Sequence, residues 1–245
     1  MTGRVLVLGG TGEARRLATA LVADGVDVLS SLAGRVADPL LPPGEVRIGG
    51  FGGAAGLAAW LRAHPVDAVV DATHPFATAM TASAAAAADV TGVPLLRLQR
   101  PGWSAQPGDD WRWVDSPEEA AEAVRGFGCV FLTTGRQGLA AFAGLTAHCL
   151  VRAVDPPEPP LPARTSVVLR RGPFGVDEEL ALLREHAVEV VVTKDSGGSM
   201  TEAKLAAART LGLPVVLVRR PPLPPGLPTV ATVDEALTWL RGQPG

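Results

Sequence analysis

The sequence contains no tyrosine, four histidines and two cysteines, and only Lys194 and Lys204 are lysines among its 22 basic residues. Each shortage removes a chemistry. Without tyrosine, a Tyr-x-x-x-Lys dehydrogenase dyad is excluded. His64, His74, His148 and His186, with Cys129 and Cys149, never take metal-ligand spacing, so no metal site is expected. Neither G-x-x-x-x-G-K-[ST] nor G-x-S-x-G occurs, which excludes a P-loop and a hydrolase elbow. No apolar run reaches about 18 residues, so no membrane span is expected. The first residues enter a short strand and a Gly-rich turn, unlike a secretory leader. A net charge of −3 argues against nucleic acid as the main partner. Both cysteines sit in apolar, strand-like runs and read as buried thiols in a reducing cytosol, which makes the expected location cytoplasmic.

What is present is a chain of 245 residues, 47% apolar and 19% charged, which is globular and needs no disulfide or metal staple. That length suits one large domain or two small ones. Nearly all basic charge is arginine, a skew that coding bias and a need for guanidinium forks both produce. Short apolar runs alternate with Ala/Leu-rich segments, the βαβ rhythm of a parallel sheet covered on both faces. Helices are expected over 13–23, 54–63 and 76–90 in the first half, and over 117–125, 176–185, 200–210 and 234–241 in the second. Capping boxes pair Ser116 with Glu119, Ser199 with Glu202 and Thr232 with Glu235. The rhythm breaks between Gln99 and Asp110. The fold class expected is α/β, two Rossmann-like three-layer domains with mainly parallel sheets and a cleft between them. The first would run over 1–98, a linker over 99–110 and the second over 111–245. Val5–Gly12 and Val130–Gly138 echo one another as strand, Gly turn and helix.

Chemistry concentrates where strands end. Gly9, Gly10, Thr11, Gly12 and Glu13 follow an apolar strand and open a helix, where a pyrophosphate can approach the backbone and the helix N-terminus. The spacing departs from G-x-G-x-x-G, and a tight turn without ligand remains the plain alternative. At the end of the second strand, Ser30, Ser31 and the nearby Arg35 replace the acid that NAD sites usually carry, which favours NADPH over NADH. Gly49, Gly50, Phe51, Gly52 and Gly53 suit a close ligand approach or a strained turn. Thr73, His74, Pro75 and Phe76 either line a nicotinamide pocket, with His74 able to carry a proton, or cap the next helix. Arg97, Arg100 and Trp103 suit a flat anion, or a linker pinned by a buried Trp. Thr133–Gln137 and Lys194–Gly198 follow apolar strands in the second half. A cation at Lys194 would hold a carboxylate, or pair with Asp195.

Taken in order, GGTGEAR, SLAGR, GGFGG, DATHPFA, RLQRPGW, TTGRQ and KDSGG resemble the precorrin-6A reductase family of cobalamin biosynthesis, over residues 4 to 220. The resemblance implies a two-domain fold and NADPH-dependent reduction of one macrocycle double bond, C18–C19, giving precorrin-6B. It implies pyrophosphate contacts from Gly9 to Glu13 and a 2′-phosphate held by Ser31 and Arg35. Gly49 to Gly53 and Thr73 to Phe76 would flank the nucleoside and nicotinamide. The substrate is a tetrapyrrole with many carboxylates, for which Arg97, Arg100, Trp103, Arg136, Lys194, Ser196 and Gly197 are the expected contacts. His74 and Lys194 are the candidate proton donors, beside water. The cobalt-containing ring of the anaerobic route is the nearest rival substrate. A non-catalytic NADP(H)-binding module and a transferase using a nucleotide sugar or S-adenosylmethionine are rival classes, and contact with neighbouring pathway enzymes is an open partner expectation.

Overall fold

In the computed structural model, residues 3–34 and 40–243 are described. The strands form from short apolar runs: those buried on both faces, such as Val5–Leu8 and Val190–Val192, become central strands, and the partly buried ones, such as Glu45–Ile48 and Thr165–Leu169, become edge strands. In chain order these are β1 (Arg4–Leu8), β2 (Asp27–Leu32), β3 (Glu45–Ile48), β4 (Ala68–Asp71), β5 (Leu95–Leu98), β6 (Trp111–Val114), β7 (Cys129–Leu132), β8 (His148–Ala153), β9 (Thr165–Leu169), β10 (Val190–Lys194), β11 (Val215–Val218) and β12 (Thr229–Val230). They form two six-stranded sheets ordered β12-β5-β4-β1-β2-β3 and β6-β11-β10-β7-β8-β9. Every described pairing is parallel.

The two orders are the same pattern. Read outward from β1 or β7, two strands run one way and three the other, as in a dinucleotide-binding Rossmann sheet. The echo between Val5–Gly12 and Val130–Gly138 therefore reflects topology. It stops at the crossover. After β1 comes the twelve-residue helix α1 (Gly12–Ala23), whereas after β7 comes only a 3-10 segment, Arg136–Phe142.

The remaining helices are α2 (Gly53–Ala63), α3 (Thr78–Thr91), α4 (Pro117–Ala123), α5 (Val176–Glu185), α6 (Ala203–Leu211) and α7 (Val233–Arg241). In the first unit, α1 and α7 cover one face of the sheet, where Leu17, Leu21, Ala236 and Leu240 meet Val5, Val7 and Val70. Leu57, Leu61, Ala84 and Ala87 of α2 and α3 cover the other. In the second unit, Leu183 and Leu205 of α5 and α6 pack on Phe131, Leu150 and Leu217. Both units are three-layered.

Three expectations are corrected. The compact units comprise residues up to Pro101 with those from Pro221 onward, and Gly102–Arg220. The second domain expected over 111–245 thus ends at Arg220, because β12 pairs with β5 (Thr229 beside Arg97, Val230 beside Leu98) and α7 buries its apolar face on the first sheet. The linker expected over 99–110 is divided, its residues from Gly102 belonging to the second unit. The box at Ser199 does not form. Thr232 forms its full box with Glu235, and Ser116 caps the Glu119 amide, although the Glu119 carboxylate takes the Asp115 amide instead of that of Ser116. Ser199, however, lies in a 3-10 turn, Ser199–Thr201, after two left-handed glycines, Gly197 and Gly198, and α6 starts at Ala203.

No helix among the described residues is long and apolar enough to cross a membrane.

Candidate active site

Crossovers leave β1 and β4 in opposite directions, and the carboxyl ends of such strands form the ligand crevice of an open α/β sheet. The turn after β1 carries Gly9 to Glu13, and the turn after β4 carries Ala72 to Phe76. One hydroxyl joins them. Thr11 Oγ1 donates to the Ala72 carbonyl at 2.8 Å and accepts the Ala14 amide at 3.1 Å, capping α1. Thr11→Val keeps the side chain's shape and loses both bonds. It is expected to lower stability by about 1–2 kcal/mol, measurable as a shift in the urea midpoint.

The glycines here have separate reasons. A methyl on Gly9 would stand 3.3 Å from Leu32 Cδ2 and 3.5 Å from Ala14 Cβ, so Gly9 permits the close packing of β1, α1 and β2. Gly10 has φ +109°, which favours glycine, and the space beside it is open. That leaves exposed backbone next to the N-terminus of a three-turn helix, where orphan N–H groups and the helix dipole attract anions. Glu13, in the first turn, is paired with Arg100 at 2.6 Å and Arg16 at 3.0 Å. Burial would raise its carboxyl, but Arg100, its own backbone amide and Arg16 together hold it below the usual carboxylate range. Its negative charge is thus answered before any phosphate arrives.

The turn after β4 rests on a buried ionic network. Arg97 and Asp71 are both fully buried and pair at 2.8 Å. Arg97 also donates to Thr73 Oγ1 and the Thr73 carbonyl, each at 3.0 Å, and to Gln99 Oε1. Asp71 accepts from the Thr73 amide and hydroxyl and from Thr81. Arg97 therefore shapes this turn from inside the fold, which overturns the expectation that it grips substrate. Its sequence context carried the signal: an Arg in the buried run Leu95–Leu98 of a parallel sheet needs an internal partner.

His74 opens a tight turn closed by the Ala77 amide on the His74 carbonyl at 2.8 Å, and α3 begins at Thr78 rather than at Phe76. The Phe76 amide donates to His74 Nδ1 at 3.2 Å. The neutral ring therefore carries its proton on Nε2. The His74 and Phe76 rings lie 5.8 Å apart.

At the end of β3, Gly49, Gly52 and Gly53 take positive φ with open space beside them. Phe51 packs edge-on to Trp60 at 5.5 Å. Ser31 is buried opposite Arg47. Arg35 lies outside the described residues.

The second unit gathers its own cluster at the carboxyl edge of its sheet. Gly138 sits between Thr134 and Lys194, since a methyl there would meet Thr134 Oγ1 at 3.1 Å and Lys194 Cε at 3.8 Å. Lys194 is half-buried, and burial lowers its pKa. Arg136 faces Asp155 at 3.7 Å. Ser196 and Gly197 continue the turn, with the Ser196 amide on the Lys194 carbonyl. Trp103 is tied down: its amide donates to Asp195, its Nε1 donates to the Gly198 carbonyl at 3.0 Å, and Lys204 Nζ lies 4.8 Å from the ring. It thus anchors this turn instead of standing in a linker. Asp195, whose role the sequence did not reveal, holds both ends of the unit, accepting from Trp103 and pairing with Arg220 at 3.1 Å. Among the described residues no group of three or more His, Cys, Asp or Glu is placed to hold a metal.

A family model described as precorrin-6x reductase CbiJ/CobK matches residues 4–241. The chain belongs to that family. Its members are oxidoreductases, and this chain is one of them. The chain is 57% identical over 240 residues to a precorrin-6A reductase of Rhodococcus erythropolis, covering 97% of each. It is 34% identical over 256 residues to a cobalt-precorrin-6A reductase of Priestia megaterium, covering 98% of each. A solved structure of CobK precorrin-6A reductase superposes with a TM-score of 0.92 at 46% identity, over 98% of this chain and 96% of that one. The precorrin-6x reductase fold thus includes both sheets described here.

Proposed function

We propose that this chain reduces the C18–C19 double bond of metal-free precorrin-6A with NADPH, giving precorrin-6B in cobalamin biosynthesis. The observation that carries the cofactor is the asymmetry of the two sheets: only the first has a full helix after its central strand, with open Gly10 backbone at its start. The residues present fit a dinucleotide. Gly9 to Glu13 would hold the pyrophosphate, Gly49 to Gly52 the adenosine side and Thr73 to Phe76 the nicotinamide. Ser31 and Arg35 are assigned to the 2′-phosphate. The metal-free ring is favoured by the higher identity to the relative named for it.

When bound, NADPH supplies a hydride from C4 of its nicotinamide, and one proton completes the two-electron reduction of the double bond. The protein orients the ring and holds charge and protons. Arg136, Lys194 and the Ser196–Gly197 turn are assigned to the substrate's carboxylates, each charge-assisted hydrogen bond being worth about 1.5–3 kcal/mol. His74, with its proton on Nε2, and Lys194, whose burial eases proton release, are the side chains assigned to proton delivery.

The test is anaerobic oxidation of NADPH with metal-free precorrin-6A, beside NADH and the cobalt-containing ring. Turnover with NADPH and the metal-free ring is expected. Turnover only with the cobalt ring would move the reading to the anaerobic route. Binding of NADPH without turnover on either ring would leave a sensing module, and saturable binding of a nucleotide sugar or S-adenosylmethionine in its place would leave a transferase. His74→Ala and Lys194→Ala are each expected to lower kcat by about 10²-fold or more if they deliver the proton. Unchanged kcat would assign that proton to water.

A further inference from the structure

Arg47 belongs to none of the motifs that mark this family in the sequence, yet the fold brings it to the same edge. It lies on β3 directly opposite Ser31 of β2 in register. Its guanidinium carbon sits 3.9 Å from the centroid of the Phe51 ring. Nη1 donates to the Gly49 carbonyl at 2.6 Å and to Ser31 Oγ at 3.3 Å, and Nη2 donates to the Gly50 carbonyl at 2.7 Å. The group is thus laid on an aromatic ring and fixed by three acceptors from two neighbouring strands and their turn.

Every one of those acceptors is neutral. Among the described residues, no carboxylate pairs with Arg47, whereas Arg4, Arg97, Arg100, Arg152 and Arg209 each have one. A guanidinium that is held rigidly, half-exposed and unneutralised keeps its charge for an anion. Its location narrows the anion. In a sheet of this order the end of the second strand is where a dinucleotide's adenosine ribose is read. There Ser31 supplies a hydroxyl, Arg47 supplies the charge, and neither supplies the carboxylate that would accept from a free 2′-hydroxyl.

We infer that Arg47 joins Ser31, beside the Arg35 assigned above, in recognising the phosphate on the adenosine ribose, and so contributes to the preference for NADPH over NADH. The inference rests on the NADPH reading above and adds a residue to it. Arg47 touches the end of the cofactor remote from the chemistry, so its effect falls on binding. The planar fork explains why arginine stands here, since lysine cannot lie on Phe51 and reach two carbonyls while meeting a phosphate.

The test needs no macrocycle. NADPH, NADH, 2′,5′-ADP and 5′-AMP are titrated against the full chain, unaltered and as Arg47→Ala, Arg47→Lys and Arg35→Ala, by nucleotide fluorescence or calorimetry. Arg47→Ala is expected to weaken NADPH and 2′,5′-ADP by about 10- to 100-fold and to leave NADH and 5′-AMP within about threefold. Arg47→Lys is expected to fall between. Retained 5′-AMP binding shows that the site is still folded. Equal weakening of all four ligands would overturn the inference, since Arg47 would then only shape the Gly49–Phe51 turn. So would no change at Arg47 with a large loss at Arg35. If the unaltered chain fails to distinguish NADPH from NADH, the NADPH reading itself falls, and the inference falls with it.

Discussion

Asp71→Ala is expected to cost about 3–5 kcal/mol of stability, the scale for stranding a buried charge. Asp71 and Arg97 are both fully buried at the centre of the first sheet, so water cannot replace the lost carboxylate. The guanidinium would keep Thr73 and Gln99 as neutral acceptors, but no counter-charge. Asp71 itself would no longer hold the Thr73 amide and the Thr81 hydroxyl. For a unit of this size the melting temperature should fall by about 10 °C or more. Pairing the change with Arg97→Met removes the stranded charge and is expected to restore much of the loss, which separates charge burial from packing. Arg97→Lys in the same background should restore little, because the ammonium is still a buried charge with no carboxylate to answer it. A loss below about 1 kcal/mol for Asp71→Ala would mean that water reaches the pair. The network also shapes the His74 turn, so under the NADPH reading proposed above dinucleotide affinity should fall in step with stability under partly denaturing conditions.

The same network shows what was legible in the sequence. Strand positions and most helix positions follow from period and composition alone, because a parallel sheet buried on both faces forces continuous apolar runs such as Val190–Val192 and Val215–Val218. The motif-bearing turns were found because they follow those runs. What was not legible depends on pairing across the chain. β12 is two residues long and emerges from a Pro-rich stretch, so nothing local marks Thr229–Val230 as the partner of β5. Arg47 is informative only once β3 is set in register against β2. Asp195 acts on Trp103, 92 residues away. Ser199 had a cap's sequence, but the left-handed Gly197 and Gly198 and the bond from Trp103 to the Gly198 carbonyl hold that segment in a 3-10 turn. Local propensity lost there to a tertiary anchor.

Lys204 gives the second large effect, and it is a pH effect. It lies 2% exposed on α6, with Nζ donating to the Thr201 carbonyl and facing the Trp103 ring. Burial is the chief reason its pKa falls to about 7; Arg152 lowers it further, while Glu179 and Glu202 oppose the shift. In the unfolded chain the same lysine titrates near 10.5. Between those values the unfolded chain binds a proton that the folded chain does not, so stability rises with pH from about 7 to about 10 and levels off at its lowest below about 7, where both states carry the proton. A shift of this size corresponds to a penalty on the order of 4–5 kcal/mol below neutral pH. Lys204→Met fills similar volume without a charge. Its urea midpoint, compared with that of the unaltered chain at pH 7, 8.5 and 10, should show an advantage that is greatest at pH 7 and shrinks as pH rises. The lost bond to Thr201 and the lost ring contact offset part of that advantage, by about 1–2 kcal/mol. Parallel midpoints across the range would overturn the assignment, because every other titrating group is common to both proteins. The same lysine anchors the Trp103–Gly198 contact beneath the Lys194 turn, so the variant should also change how tightly that turn is held, read as faster amide exchange at Gly197 and Gly198.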